Sequence, residues 1–519
     1  MKKSQKKQLN LKNKILYFLK YLIVEILFIL ILVTVYIKKS YSNVSFEQLI
    51  YSLQTAEGTS NDMLVSGVKF VIPWFILINI CFYLSIFIRK KYFVKELCLN
   101  LYFKDKKKTF NLFPLNIKEK KIIFILYIII SIFLILYSIG FINYVFLNKD
   151  NRFFEKYYID PKTVEIDAPS DKRNLIFIYV ESLETTLFSI ENGGNFNKSI
   201  IPNLENIDKE NLNFSSSDNL GGASMVSGTS WTAAGLVSTS SGIPLKLSSS
   251  DGNIYWDYKG SYLPGAYSLG EILEKNGYHN YFMLGSNAGF GGRSLYFNQH
   301  GNYEIWDYGH AIRQGWIDEN YDVWWGYEDS KLYDFAKKEL KEISLNDEPF
   351  NFTLLTADTH PNDGYCDDSC VEISDVKYLN SYNCTDKMLG EFVNWIKNQD
   401  FYDDTTIVIL GDHLTMQSNL KDSFDKEGQG YIYNAFINSK VDGNNKNRSF
   451  TSMDMYPTVL SSLGFKIKGE RLGLGTNLFS GKQTLAEELG IEKLNKELEN
   501  KSNFYNNVIV KEDSLKASK

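Results

Sequence analysis

Histidine and cysteine are scarce in this 519-residue chain, five of each. Each one that falls beside an acidic residue therefore carries information. There is no excess of basic charge either: 56 Lys and Arg stand against 61 Asp and Glu, for a net charge of -5. That gives no support for a nucleic-acid partner, because the lysines cluster beside apolar runs and the later part of the chain is mildly acidic. Three of the cysteines, Cys366, Cys370 and Cys384, lie close together, but no histidine or fourth cysteine stands at ligand spacing nearby, which argues against a zinc site there. No small-residue cleavage site closes the first apolar stretch, which ends in Tyr36-Ile37-Lys38-Lys39; a cleaved signal peptide is disfavoured. The glycine-rich stretch Gly285 to Gly292 lacks the spacing of a dinucleotide-binding turn and is not expected to lead into a well-formed helix. Neither an internal repeat nor an extended low-complexity tract occurs.

What is present divides the chain. Residues 1–150 hold three apolar runs, Tyr21 to Ile37, Phe70 to Ile88 and Ile122 to Leu147. A bilayer core needs about 20 apolar residues as helix, so three transmembrane helices are expected at about 14–37, 68–89 and 121–147. The first run contains Glu25 and is preceded by Lys20, which can snorkel from the helix end. Lys2, Lys3, Lys6, Lys7, Lys12 and Lys14 precede it, and Arg89 to Lys121 is again basic, so both regions belong inside. The stretch from Ser40 to Lys69, with Glu47, Glu57 and Asp62, suits the outer face and an amphipathic interfacial helix. Three spans then place everything after about residue 148 outside. Disulfides persist there, so one bridge is expected among the three clustered cysteines. Cys370 to Cys384 is the foremost pairing, and the choice stays open.

The outer part is read as a linker at 151–172, a domain at 173–483 and a polar tail at 484–519 that ends as a surface helix and a disordered end. Four short apolar runs share one layout: Leu175 to Val180, Tyr281 to Leu284, Phe352 to Leu355 and Thr406 to Leu410. Helical spacing lies between them, at Ser268 to Asn276, Trp324 to Ile343 and Leu379 to Asn398. The alternation predicts an α/β domain, a largely parallel sheet flanked by helices. Ligands in such sheets bind beyond the carboxyl ends of the strands. There stand Glu181, then Arg293 after the glycine-rich stretch, then Asp358 and His360, then Asp412 and His413.

Gly411-Asp412-His413 offers a hard oxygen and an imidazole nitrogen to one metal ion, with Glu181 as partner; a capping role for Asp412 is the plainer alternative. Ser227 to Gly235 reads as a glycine turn feeding a helix that runs to about Ser240, with Thr229 at its N-terminus, where backbone donors favour phosphate. Sequence physics alone favours the plainer reading, in which Thr229 or Ser230 is simply an N-cap. His300 reads as structural, and His279 and His310 as surface or packing residues.

Four segments together carry a resemblance: Asn174 to Glu184, Gly228 to Pro244, Thr356 to Gly364 and Gly411 to Leu414. In order and content they resemble the phosphoglycerol transferases of the sulfatase-like branch of the alkaline phosphatase superfamily, over about residues 170–480. Lipoteichoic acid synthase is a more distant relative. The resemblance implies Glu181, Thr229, Asp412 and His413 as metal ligands, with manganese the foremost ion and magnesium or zinc the alternatives. It implies Thr229 as nucleophile, Arg293, His360 and Asp358 as substrate contacts, and His360 as a catalytic residue that protonates, deprotonates or only binds. Where lipoteichoic acid synthases carry a tryptophan two residues before the arginine, Gly291 stands here. The implied reaction moves phosphoglycerol from phosphatidylglycerol to a hydroxyl of an extracytoplasmic glycan or polymer through a phosphoglycerol-threonine intermediate, releasing diacylglycerol. A phosphoethanolamine transferase, a sulfatase-like hydrolase and an inactive glycan- or lipid-binding protein are the rival readings. No C/S-x-P-x-R string surrounds Thr229, which weighs against a sulfatase.

Overall fold

Uninterrupted apolar sequence folds as helix because each backbone group then finds its partner within its own segment. The computed structural model describes residues 2–41, 44–54, 61–92, 97–103, 106–113, 117–146, 151–246 and 261–511. The chain divides into two units, residues 1–40 with 61–146, and residues 41–60 with 147–519.

The first unit contains the helices Lys2–Ser40, Asn61–Tyr92 and Ile117–Ser138, and a hairpin of Leu97–Phe103 with Lys106–Phe113 in the basic stretch. Three segments are long and apolar enough to cross a membrane: Asn13–Ser40, Val65–Ser85 and Lys121–Ser138. Their outward side chains, such as Phe18, Ile76, Phe82 and Phe133, are exposed, as suits lipid rather than water. Glu25 is paired within this unit, accepting a hydrogen bond from Asn79 Nδ2 at 3.4 Å, and Lys20 lies over the Phe124 ring. The third helix is shorter than the apolar run. It stops at Ser138, Gly140 turns left-handed at φ 74°, and Phe141–Phe146 forms a separate short helix.

The second unit is built on a seven-stranded sheet. In chain order its strands are β1 (Asn174–Val180), β2 (Gly222–Ala223), β3 (His279–Leu284), β4 (Glu304–Trp306), β5 (Phe350–Leu355), β6 (Thr405–Gly411) and β7 (Ile432–Ile437). The sheet order is β2-β7-β6-β1-β5-β3-β4. From β6 through β4 the strands run parallel; β7 and β2 close one edge antiparallel. The four apolar runs are thus the four central parallel strands. Alternate residues feed two cores: Phe177, Tyr179, Val408 and Leu410 enter one, and Ile176, Ile178, Ile407 and Ile409 the other. Burial on both faces explains why these strands read as unbroken apolar runs. The helix Leu269–Lys275, started by a Ser268–Glu271 capping box, packs into the first core, and Asp329–Ile343 and Lys377–Lys397 pack into the second.

Several boundaries differ from those read in the sequence. The helix expected from Trp324 begins at Asp329, since Trp324 itself is left-handed at φ 58°. The stretch read as a linker is part of the domain: Phe153 and Phe154 are buried, and Ile166–Asp167 pairs with Lys466–Ile467. So is most of the expected tail. Thr484 starts a capped helix, and Leu485, Leu494, Leu498, Tyr505 and Ile509 sit in the first core. High content of Lys, Glu and Asn hid that apolar stripe. The Cys370–Cys384 bridge is present, with Cys366 free and exposed.

Candidate active site

Two neighbouring parallel strands set the site's geometry. β1 and β6 pair in a register that puts Val180 opposite Gly411, so the next residue of each, Glu181 and Asp412, emerge side by side. They come from the middle of the sheet, not from its outer edges. A side chain at Gly411 would strike the Leu183 carbonyl, which lets the two strand ends lie this close. Ser182 comes after Glu181 in a left-handed conformation, φ 54°, and its amide donates to Asp412 Oδ1 at 2.7 Å. The His413 amide donates to the same oxygen at 2.8 Å.

Glu181, Asp412 and His413 are all buried, and one donor atom of each lies within 4.8 Å of the others. His413 Nδ1 faces the Leu414 carbonyl at 2.7 Å. In the neutral ring that bond assigns the proton to Nδ1, so Nε2 is the nitrogen that would turn a lone pair toward a bound cation, the usual support of a ligating histidine. Nε2 stands 3.4 Å from Glu181 Oε1 and 3.4 Å from Asp412 Oδ2. Among the described residues neither Nε2 nor Asp412 Oδ2 has a hydrogen-bond partner, although both are shut off from water. Two carboxylates and an imidazole with orphaned donors converging on one point fit a divalent cation.

The charges agree with that fit. Burial and the facing Glu181 carboxylate push Asp412 up to about 7. Burial alone would lower His413, but Asp412 and Glu181 outweigh it and push the imidazole up to about 9. Burial would raise Glu181, yet the charge on His413, with His360 and the Ser182 hydroxyl, holds it well below the usual carboxylate range. The cluster attracts positive charge.

Of the candidate hydroxyls, Thr229 does not face this cluster through its hydrogen bonds. It is buried, and its hydroxyl is engaged in its own turn, accepting from the Val226 amide at 3.1 Å and donating to the Val226 carbonyl at 2.8 Å. The helix begins three residues later than expected, at Thr232, after Gly228 at φ 80° and an extended Trp231. Thr232 Oγ1 donates to Glu181 Oε2 at 3.1 Å. The geometry expected of Thr229 therefore belongs to Thr232, one helical turn on. That helix packs against the Asp412 backbone so closely that a side chain at Gly235 would meet the Asp412 carbonyl at 2.2 Å.

Arg293 is the first residue of the helix Arg293–Gln299 and is buried; its guanidinium donates to the carbonyls of Phe290 and Asn287 and to Ser286 Oγ. Burial lowers it to about 10, with Glu181 opposing, so it stays cationic at neutral pH. His360 has its Nδ1 on the Pro361 carbonyl and its ring 4.6 Å from that of Trp325. Burial lowers its pKa against the pull of Glu181. Asp358 is engaged with Asp329 through one oxygen: its Oδ2 accepts from the Asp329 amide, and Asp329 in turn accepts from the amides of Ala357 and Asp358, while among the described residues the buried Asp358 Oδ1 has no hydrogen-bond partner. That reciprocal pair starts the helix Asp329–Ile343. His300 bridges Glu271 and the Tyr262 carbonyl, a structural role.

The sulfatase family profile matches residues 173–465, more than half of the chain. The chain belongs to the sulfatase family. Within it, the chain is 31% identical over 342 residues to phosphoglycerol transferase I of Salmonella choleraesuis, covering 64% of this chain and 42% of that protein. The Escherichia coli phosphoglycerol transferase I matches at 31% over 345 residues, with the same coverage. The chain thus spans about two fifths of the length of the curated relatives it matches. Among solved structures it is similar to the lipoteichoic acid synthase LtaP of Listeria monocytogenes, with TM-score 0.48, 22% identity, and 61% and 79% of the two chains covered. The lipooligosaccharide phosphoethanolamine transferase A of Neisseria meningitidis gives TM-score 0.49, 15% identity, and 85% and 84%. Thr232, Ser182 and Trp325 were missed in the sequence. The string GTSWTAAG holds three hydroxyls, and only the helix start decides among them.

Proposed function

We propose that this sulfatase-family chain is a metal-dependent phosphotransferase that moves phosphoglycerol from phosphatidylglycerol to a hydroxyl of an extracytoplasmic glycan or polymer. The observation that carries the reading is the Thr232 hydroxyl on Glu181, at the start of a helix and beside a buried cation site. A divalent cation, manganese foremost and magnesium or zinc as alternatives, would be held by Glu181, Asp412 and His413, and would supply positive charge that lowers the pKa of a neighbouring hydroxyl and polarises a phosphoryl oxygen.

In the first step Thr232 Oγ gives up its proton and attacks phosphorus, the bond from phosphorus to the diacylglycerol oxygen breaks, and that oxygen takes up a proton. A phosphoglycerol-threonine results. In the second step the acceptor oxygen loses its proton and attacks phosphorus, the bond from phosphorus to Thr232 Oγ breaks, and that oxygen takes a proton back. Arg293, cationic at neutral pH, would hold the phosphate oxygens, and the helix start would add its backbone donors. His360, held neutral by burial, suits proton uptake from the acceptor hydroxyl. For the acceptor we assign the cavity of about 360 Å³ beside the site, lined by Glu184, Ser230, Thr415, Gln417, Lys421 and Phe424, since it offers hydroxyl-binding groups next to an aromatic face. The orientation of lysines around the apolar helices and the Cys370–Cys384 bridge support a domain on the outer side of a bacterial cytoplasmic membrane.

The test incubates the full chain with head-group-labelled phosphatidylglycerol and, separately, phosphatidylethanolamine. Diacylglycerol release from the first alone, with a glycerophosphoryl adduct located on Thr232 by mass spectrometry, is expected. Release from phosphatidylethanolamine alone would make the chain a phosphoethanolamine transferase, and an adduct on Thr229 would return the nucleophile to the earlier turn.

A further inference from the structure

The segment Tyr41–Gln54, between the first two apolar helices, folds with the second unit. By composition it suits a membrane interface; in the structure it is built into the rim of the active site. Tyr41 bridges to Gln417, and its hydroxyl accepts from Asn362 Nδ2 at 2.7 Å. Gln48 Nε2 reaches the Met416 sulfur at 3.0 Å. These partners lie within a few residues of His360 and His413. From the helix Phe46–Gln54, Tyr51 is buried to 2% exposure. Its hydroxyl donates to the Gly291 carbonyl at 2.5 Å and shares a hydrogen bond with Tyr262 at 2.8 Å. Its ring lies 5.8 Å from that of Trp231, the residue before Thr232.

The Gly291 contact matters because the site's arginine stands two residues further along the chain. Gly291 and Gly292 are both left-handed, φ 67° and 63°, and this double turn delivers Arg293 as the first residue of its helix. Consecutive left-handed glycines are conformationally permissive and hold no preferred geometry of their own. Backbone bonds from the Gly292 amide to the Gly289 carbonyl at 3.0 Å and from the Ser294 amide to the Ala288 carbonyl at 2.8 Å close the turn, and the Tyr51 hydrogen bond to the carbonyl between the two glycines adds a constraint from outside it. The absence of a side chain at Gly291 also leaves its Cα facing Ala233 next to Thr232, where a Cβ would stand 3.6 Å away. Tyr51 therefore touches both the turn that aims the arginine and the residue that starts the threonine's helix.

We propose that Tyr51 is a positioning residue for Arg293, so that the segment between the first two apolar helices is a working part of the active site. The proposal rests on the reading of Arg293 as a phosphate contact. The test compares the full-length protein with Tyr51→Phe, which keeps the ring against Trp231 and removes only the hydroxyl. Donor turnover should lose about five- to tenfold in kcat/KM, carried by KM, with the thermal midpoint lowered by only a few degrees and the chain fully folded at the assay temperature. In an Arg293→Lys background the same substitution should cost nothing further. Backbone hydrogen exchange across residues 285–293 should accelerate while β1 and β6 keep their protection. Wild-type KM with wild-type exchange in Tyr51→Phe would overturn the proposal, as would an equal loss in both backgrounds. If the wild-type chain releases no diacylglycerol, the proposed activity fails, and the exchange measurement alone still decides whether Tyr51 holds the turn.

Discussion

The two halves of the proposed active site are made by different means. Glu181, Asp412 and His413 come directly after central strands whose backbone register leaves them little freedom. Thr232, Arg293 and His360 stand on helix starts and loops, each aimed by a neighbour from outside its own element: Glu181 for Thr232, the carbonyls of Asn287 and Phe290 for Arg293, Trp325 for His360. The ladder fixes the first half, while the second depends on loop and side-chain contacts, local for Arg293 and tertiary for Thr232 and His360. Cation binding needs fixed donors, and substrate handling tolerates groups that settle as the ligand arrives.

The contrast breaks most directly at the metal half. Asp412→Ala, or exhaustive chelation of the wild type, should abolish bound divalent metal in elemental analysis and lower donor turnover by about 10⁴-fold, since several kcal/mol of charge stabilisation vanish together. Retained activity in the metal-free protein would end the division. Next comes Thr232→Ala, expected to lose about 10³-fold in diacylglycerol release while keeping its metal, because only the second half is touched.

Smaller effects sharpen the boundary. His360→Gln should lower acceptor-dependent turnover about 100-fold. Burial holds the His360 pKa below its ordinary value, so the proton-accepting neutral form is present at neutral pH and is lost only as pH falls through that depressed pKa. The wild-type rate should drop on that acid limb, and the glutamine variant should show no such limb. Gly235→Ala inserts a methyl where the helix of one half meets the Asp412 carbonyl of the other. It should cost about 1–3 kcal/mol in denaturant unfolding and about tenfold in activity. The smallest effect is Thr229→Ala: about 1 kcal/mol of stability from the lost turn hydrogen bonds, with turnover within about threefold. A collapse of activity there, without loss of stability, would move the nucleophile back to Thr229.

Legibility in the sequence divides along the same line. Glu181, Asp412 and His413 could be named because each comes after an apolar run that folds as a strand, and strand ends are where parallel sheets gather ligands. Arg293 and His360 could be named by the same rule. Their orientation could not, since Ser286, Asn287 and Trp325 enter through loops. Asp358 obeyed the rule, and one of its oxygens is taken by Asp329, a partner nearly thirty residues earlier. Thr229 and Thr232 are equivalent by composition. The choice fell to Gly228 and Trp231, whose backbone delays the helix by one turn.

The apolar helices, the four central strands and the acidic and imidazole residues at their ends were settled by the order of residues alone, because hydrophobic run length and strand polarity act locally. Tertiary contacts settled which hydroxyl meets Glu181, that residues 484–511 belong to the core, and that Tyr51 reaches the Arg293 turn. Those outcomes depend on segments tens to hundreds of residues apart. Their energy comes from burial and hydrogen bonding in the folded chain, and local propensity carries no record of it.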